Sequence, residues 1–401
     1  MTDVSAVPLP PRPSGSDAAS DGIGLLRGRM LIQTRPTFVK KVSEQIAPSL
    51  SGLLLCGDGA MRTAQRMRRD DGHDGVLLTD PACYEQAVAT EESPFPESEA
   101  EGFFLNDPLE VSLSRQRAAG VTAPITPTGY IQAEDSDALR AAVLRIKELD
   151  DPSVIFAVPI DVAWLRNEES TKQLIGYLQL TSGPKAIMLG GQMDPLARYA
   201  KAVSHLRMLV TQVPDAALVR ADLAAFGALA AGALFTAFGA SGSLRHVVAP
   251  GEKAQTSRKG GGGPTAPHVL HPELMDFYLG DNLAKKYGGT PAPICDCYAC
   301  EGRSLDVFTS NHSPLPAQAA AHNIAVLMSW LRDLCAIPAG IAQEQWWHDR
   351  CCRAVDQYPL LNAALRQPGA FKVPEQLNRW ALAAPESVPV PLEAPEAQRT
   401  R

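Results

Sequence analysis

The chain has 401 residues, of which 45% are hydrophobic and 20% charged, and a formal net charge of −7. That length exceeds one ordinary hydrophobic core, and that composition excludes a mainly disordered chain, a coiled coil and a disulfide-stapled miniprotein. The acidic balance argues against binding nucleic acid through bulk positive charge, while leaving room for a local basic groove.

Residues 1–21, rich in Pro, Ser and Asp, read as a disordered leader. They lack the basic and apolar regions of an export signal, so a cytoplasmic protein is expected. Strands are expected at 30–34, 53–56, 75–79, 126–131, 154–159, 186–189, 217–221 and 234–238, most of them apolar at successive positions, as in parallel strands covered on both faces. Helical patterns follow at 136–149, 195–210 and 223–231, with Ser136 in the position of an N-cap. The most apolar stretch, 224–238, is broken by Gly227, Gly232 and Thr236 and is too short to span a bilayer.

Eight strands alternating with helices over about 210 residues match the size of an α/β (β/α)8 TIM barrel, with a zinc-binding subdomain after it. Periodicity does not show closure, so a doubly wound open sheet is the alternative. The expected division is a barrel over 22–290, a zinc subdomain with C-terminal helices over 291–384, and a disordered tail over 385–401. After the last expected strand, the Gly- and Ser-rich stretch 239–263 carries Arg245, His246, Lys253, Arg258 and Lys259. It reads either as a solvated loop or as a basic loop that contacts phosphates over the barrel mouth.

In a parallel barrel, functional side chains gather just past the C-terminal strand ends. Asp80 ends LLTD, Asp161 ends FAVPID, Gly190, Gly191 and Gln192 end IMLGGQ, and Asp222 ends LVRAD. A single Asp in such a place often only caps the next helix, but several on one rim point to a shared site. Eight cysteines in a chain expected to be intracellular suit thiols or metal ligands better than disulfides. Cys295, Cys297 and Cys300 are followed after 21 residues by His322. Three thiolates and one imidazole fill a tetrahedral Zn2+ shell and leave no position for water, so the zinc is expected to be structural. His312 is the competing fourth ligand. His348, Cys351 and Cys352 also resemble a metal motif, but adjacent cysteines chelate one ion poorly. No GxxxxGK[ST], HExxH or GxSxG is present.

The CxCxxC and HN arrangement after an apparent barrel resembles the tRNA-guanine transglycosylases, over about residues 50–335. These zinc-containing (β/α)8 enzymes exchange guanine in a polynucleotide for a 7-deazaguanine base, and relatives act on DNA. LLTDPACYEQ is similar to the family's LTDSGGFQ, which implies that Asp80 lies by the reacting centre. PID at 159–161 is similar to the strand end whose Asp binds the guanine edge, and LGGQ at 189–192 to the step holding the base carbonyl. The resemblance also implies a homodimer or a partner subunit. The chain departs from the pattern where family members place a nucleophilic Asp in the last barrel strand: Thr236 aligns there. Pro81, Ala82 and Cys83 replace the Gly-Gly-Phe that follows the first Asp.

Three functions follow. In the first, a base-exchanging glycosyltransferase acts on tRNA or DNA, with Asp222 attacking the anomeric carbon, Asp80 shuttling the proton and Asp161 holding the guanine-type base. Arg245 and His246 then contact the flipped-out strand. The second is a non-catalytic paralogue that binds nucleic acid or serves as a partner subunit, and the third an unrelated barrel enzyme with a structural zinc.

Overall fold

The computed structural model describes residues 22–96, 107–254 and 266–385. The expected leader, the tail beyond Ala384–Pro385, and Arg258 and Lys259 lie outside the described residues. Seven parallel strands form one sheet: β1 (Arg29–Thr34), β2 (Leu53–Cys56), β3 (Leu77–Asp80), β4 (Phe156–Asp161), β5 (Lys185–Gly190), β6 (Ala216–Ala221) and β7 (Phe235–Gly239). Their spatial order is β3-β2-β1-β7-β6-β5-β4, so the first strand pairs with the last. An open doubly wound sheet does not join its first strand to its last. This sheet curls into at least half a barrel.

The curl divides each strand's side chains between two cores, because successive residues point to opposite faces. Leu31, Leu54, Leu78, Ala157, Met188, Val219 and Ala237 pack together inside. Met30, Leu53, Leu77, Val158, Ile187, Leu218 and Phe238 face the helices. This two-sided burial is why the strands read as nearly continuous apolar runs.

The expected strand at 126–131 is replaced by isolated parallel bridges, Ile125 to Ile155 and Ile131 to Ile160. Local chemistry explains the irregularity. Pro127 has no N–H to give a ladder, and the Thr126 hydroxyl takes the N–H of Ala157 at 2.9 Å. The segment still reaches both neighbours: Thr122 N–H donates to Leu77 O at 2.8 Å, and Ile155 N–H to Pro124 O at 2.8 Å.

Seven helices accompany the sheet: α1 (Val39–Ser43), α2 (Ala60–Arg69), α3 (Pro108–Ala118), α4 (Ser136–Leu149), α5 (Glu168–Leu178), α6 (Ala202–Gln212) and α7 (Ala224–Ala230). The helix expected from Ser136 has these bounds, but Asp135 caps it, accepting from Ala138 N–H at 3.0 Å. Ser136 is the first helical residue.

Past the sheet come the antiparallel pair β8 (His268–His271) and β9 (Asp276–Leu279), then α8 (Gly280–Tyr287). A two-residue ladder, β10 (Ile294–Cys295) with β11 (Arg303–Ser304), frames the three clustered cysteines. The long helices α9 (Leu315–Cys335) and α10 (Ile341–Ala364) and the short α11 (Glu375–Leu382) follow. They share the outer core of the sheet rather than forming one of their own. Trp347 of α10 stacks on Phe226 of α7 at 5.6 Å. A Cβ at Gly227 would stand 2.3 Å from the Trp380 ring of α11, so only glycine lets α11 approach α7. No described helix is long and apolar enough to cross a membrane.

Candidate functional site

Three polar centres surround the C-terminal edge of the sheet, and a fourth lies under α9.

The first is at the mouth of the curl. Asp80 ends β3 facing inward and is 3% exposed. Its carboxylate accepts from Gln33 Nε2 at 2.9 Å, Tyr84 OH at 2.5 Å and Ala82 N–H at 2.9 Å. Above it lies Arg220 of β6, which donates from Nη1 to Tyr84 OH at 2.9 Å and pairs with Glu85 through Nη2. Burial raises the Asp80 pKa, and the Arg220 charge opposes that shift. Arg220 escaped the motif reading of LVRAD, although a charged residue in a strand covered on both faces was the available signal.

The second centre is a cleft of 540 Å3 between the ends of β5 and the chain near Glu252, lined by Gly191, Gln192, Met193, Asp194, Pro195, Ala197, Arg198 and Glu252. Asp161 and Gly190 are register partners on β4 and β5. Tyr130 donates to Asp161 at 3.0 Å, and a Cβ at Gly190 would stand 2.2 Å from the Tyr130 hydroxyl. Asp161 and Gly190 thus stand side by side at the strand ends, Gly191 and Gln192 continue into the cleft, and Tyr130, Arg198 and Glu252 join them. Gln192 Nε2 donates to Glu252 at 2.9 Å and to Lys253 O at 3.0 Å.

The third centre separates Asp222 from Asp80. Asp222 accepts from Ala224 N–H at 2.8 Å, as a helix cap does, and both its oxygens accept from Gln376 Nε2 of α11 at 2.9 Å. The two aspartates share no hydrogen-bond partner, so the single pocket expected around them is two networks. A bulge explains the difference. Arg220 takes a left-handed φ of 54°, and the β6–β7 register shifts between Leu218 and Ala221. The bulge turns Arg220 inward and Ala221 toward the helical shell, while Asp222, just past the end of β6, faces Gln376 of α11.

Asp222 is surrounded by Asp194, Asp276 and Arg245. Burial, then Asp222 and Asp276, push Asp194 up to about 7. Burial likewise raises Asp222, against hydrogen bonds from Ala224 and Gln376. The guanidinium of Arg245 lies 3.6 Å above the Phe277 ring, and its Nε donates to Gly239 O at 3.0 Å. Burial draws its pKa down to about 10. His246 is 9% exposed, and its carbonyl accepts from Arg220. The phosphate contacts expected of Arg245 and His246 do not fit these inward positions. Thr236 is fully buried in mid-strand, one residue out of phase with the inward-facing Phe235 and Ala237, and its hydroxyl has no hydrogen-bond partner.

The fourth centre is the metal-ligand group. Among the described residues, Cys295, Cys297, Cys300 and His322 form the one group of three or more ligand-type side chains able to hold an ion, with ligand atoms within 4.8 Å of one another. His322 Nδ1 lies 3.4, 3.6 and 3.2 Å from the sulfurs of Cys295, Cys297 and Cys300. A tetrahedral zinc with ordinary Zn–S and Zn–N bonds sets sulfur and nitrogen about 3.6 Å apart. Nε2 of His322 lies 2.8 Å from Leu270 O, which fixes the tautomer with the Nδ1 lone pair facing the sulfurs. The donors suit zinc, and His322 rather than His312 completes them. Cys352 has His348 Nε2 at 3.6 Å but no third ligand.

No family model matches the chain, and no curated protein matches it.

Proposed function

We propose that this chain is a transglycosylase-like barrel that recognises a guanine-type base in tRNA or DNA without exchanging it, as a nucleic-acid-binding or partner subunit. In this reading, segment 122–131 serves as the eighth stave of a (β/α)8 barrel, supported by its hydrogen bonds to Leu77 and Ile155. Cys295, Cys297, Cys300 and His322 would hold a structural Zn2+, which supplies cross-linking and no open position for water.

The observation that carries the proposal is the state of the carboxylates. Glycosyl exchange needs a carboxylate with access to the anomeric carbon. Asp80 is covered by Tyr84 and Arg220, Asp222 is tied to Gln376, and β7 ends without an acid. The cleft remains open, and its volume suits a nucleobase. Asp161, at the adjoining end of β4, accepts from Tyr130 OH and from Ala163 N–H, and its remaining lone pairs would accept from a guanine-type amine and ring N–H.

Labelled guanine or 7-deazaguanine is incubated with the protein and tRNA or duplex DNA. No incorporation is expected, whereas oligonucleotide binding by fluorescence anisotropy should weaken about tenfold in Asp161→Asn. A second reading, an exchanging enzyme, is favoured by Asp80 at an inward-facing strand end. Incorporation lost in Asp80→Asn but kept in Asp222→Asn would establish it in place of the first. Neither binding nor incorporation would end both.

A further inference from the structure

Arg220 combines a strained backbone with a buried side chain that joins two loops. It is 4% exposed, and its φ of 54° lies in the left-handed region that disfavours residues other than glycine. The guanidinium uses all three nitrogens. Nε donates to His246 O at 2.8 Å, Nη1 to Tyr84 OH at 2.9 Å, and Nη2 to Ser243 O at 3.1 Å and to Glu85. None of these acceptors belongs to β6. Tyr84 and Glu85 follow β3, while Ser243 and His246 follow β7.

Without the Arg220 side chain, one carboxylate, one hydroxyl and two carbonyls would still face the same small volume. That set matches the planar, donor-only fork of a guanidinium and suits neither an ammonium point charge nor an anion. Asp80 adds a second acid through Tyr84 OH.

We propose that the loops after β3 and β7 form a guanidine-binding subsite and that Arg220 is its tethered occupant, closing the mouth over Asp80. The ligand class is the guanidinium ion or a small molecule with a free N–C(=N)–N edge. The subsite stands on Arg220's own partners and not on nucleic-acid recognition, so either idea can fail alone.

The test uses Arg220→Gly, which removes the side chain and suits the left-handed φ. Guanidinium chloride is titrated from about 0.1 to about 20 mM, far below denaturing concentrations, while Tm is followed. The variant should show a saturable rise of roughly 1–2 °C at ten times the dissociation constant. Ammonium and urea should give none, nor should the wild-type chain with guanidinium. Adding Glu85→Gln to the variant should weaken the response about tenfold. A folded Arg220→Gly without a saturable response, or an equal response to ammonium, overturns the proposal. If the variant does not fold, it is refolded with and without guanidinium: recovery only with guanidinium supports the subsite, and no recovery overturns it.

Discussion

Two buried centres in this protein gather negative groups on opposite terms. The Cys295, Cys297, Cys300 and His322 group converges on a point able to hold an external cation. The mouth gathers Asp80 and Glu85 around a cation the chain already carries, the guanidinium of Arg220. Burying charge is costly unless it is paired, so each centre requires its cation. A metal held by the first would be removable with a chelator, whereas the second cation leaves only by mutation. The aspartates around Asp222 show a third arrangement, in which burial raises Asp222 and pushes Asp194 up to about 7 beside the single guanidinium of Arg245.

The largest expected effect separates the first two centres. The protein purified from cells should carry one zinc per chain, and stripping it at neutral pH should loosen the cysteine ladder and α9, while β1–β7 persist. Structural zinc is worth on the order of 10 kcal/mol in small zinc peptides. Hydrogen exchange that leaves residues 294–335 as protected as before would break the comparison.

Next comes the internal cation. Arg220→Met keeps the stem and leaves the buried Asp80 and the half-buried Glu85 without their cation, at an expected cost of about 3–5 kcal/mol in denaturant unfolding. A cost under about 1 kcal/mol would mean that the mouth is not held by this charge.

A smaller loss is expected from Asp222→Asn, about 1 kcal/mol or less, because an amide oxygen still caps α7 at Ala224 N–H. A loss as large as that of Arg220→Met would erase the distinction between the two aspartate networks.

The smallest effect is a slope. Asp194 is pushed up to about 7 in the folded chain, mainly by burial. The folded state thus binds a proton that the unfolded state releases near pH 4. This contribution to stability is fully present below that lower value and is lost as pH rises through about 7. Asp194→Asn should flatten the slope of stability against pH in that window. An unchanged slope would assign the proton elsewhere.

The strands were legible because parallel strands covered on both faces become apolar runs, and seven of the eight expected segments are regular strands of the sheet. The eighth, at 126–131, combined Thr and β-branched residues with Pro127 and Gly129, and there backbone chemistry prevailed over pattern. At the mouth, Asp161 with Gly190–Gln192 was readable because adjacent strand ends meet wherever two parallel strands pair. Arg220 was not, since motif reading looks for residues after strands and this one lies within a strand.

Sequence alone determined seven of the strands, the helix at 136–149, and which three cysteines, with His322 or His312, stand close enough along the chain to share an ion. Both are short-range properties, set by side-chain period and ligand spacing. Only the tertiary structure decided that β1 pairs with β7, that Asp80 turns inward and Asp222 outward, and that Arg245 packs on Phe277. The physical reason is that one left-handed residue in β6 turns an arginine from the helical face into the curl. Whether that strain is tolerated depends on partners contributed by loops more than 20 residues away along the chain.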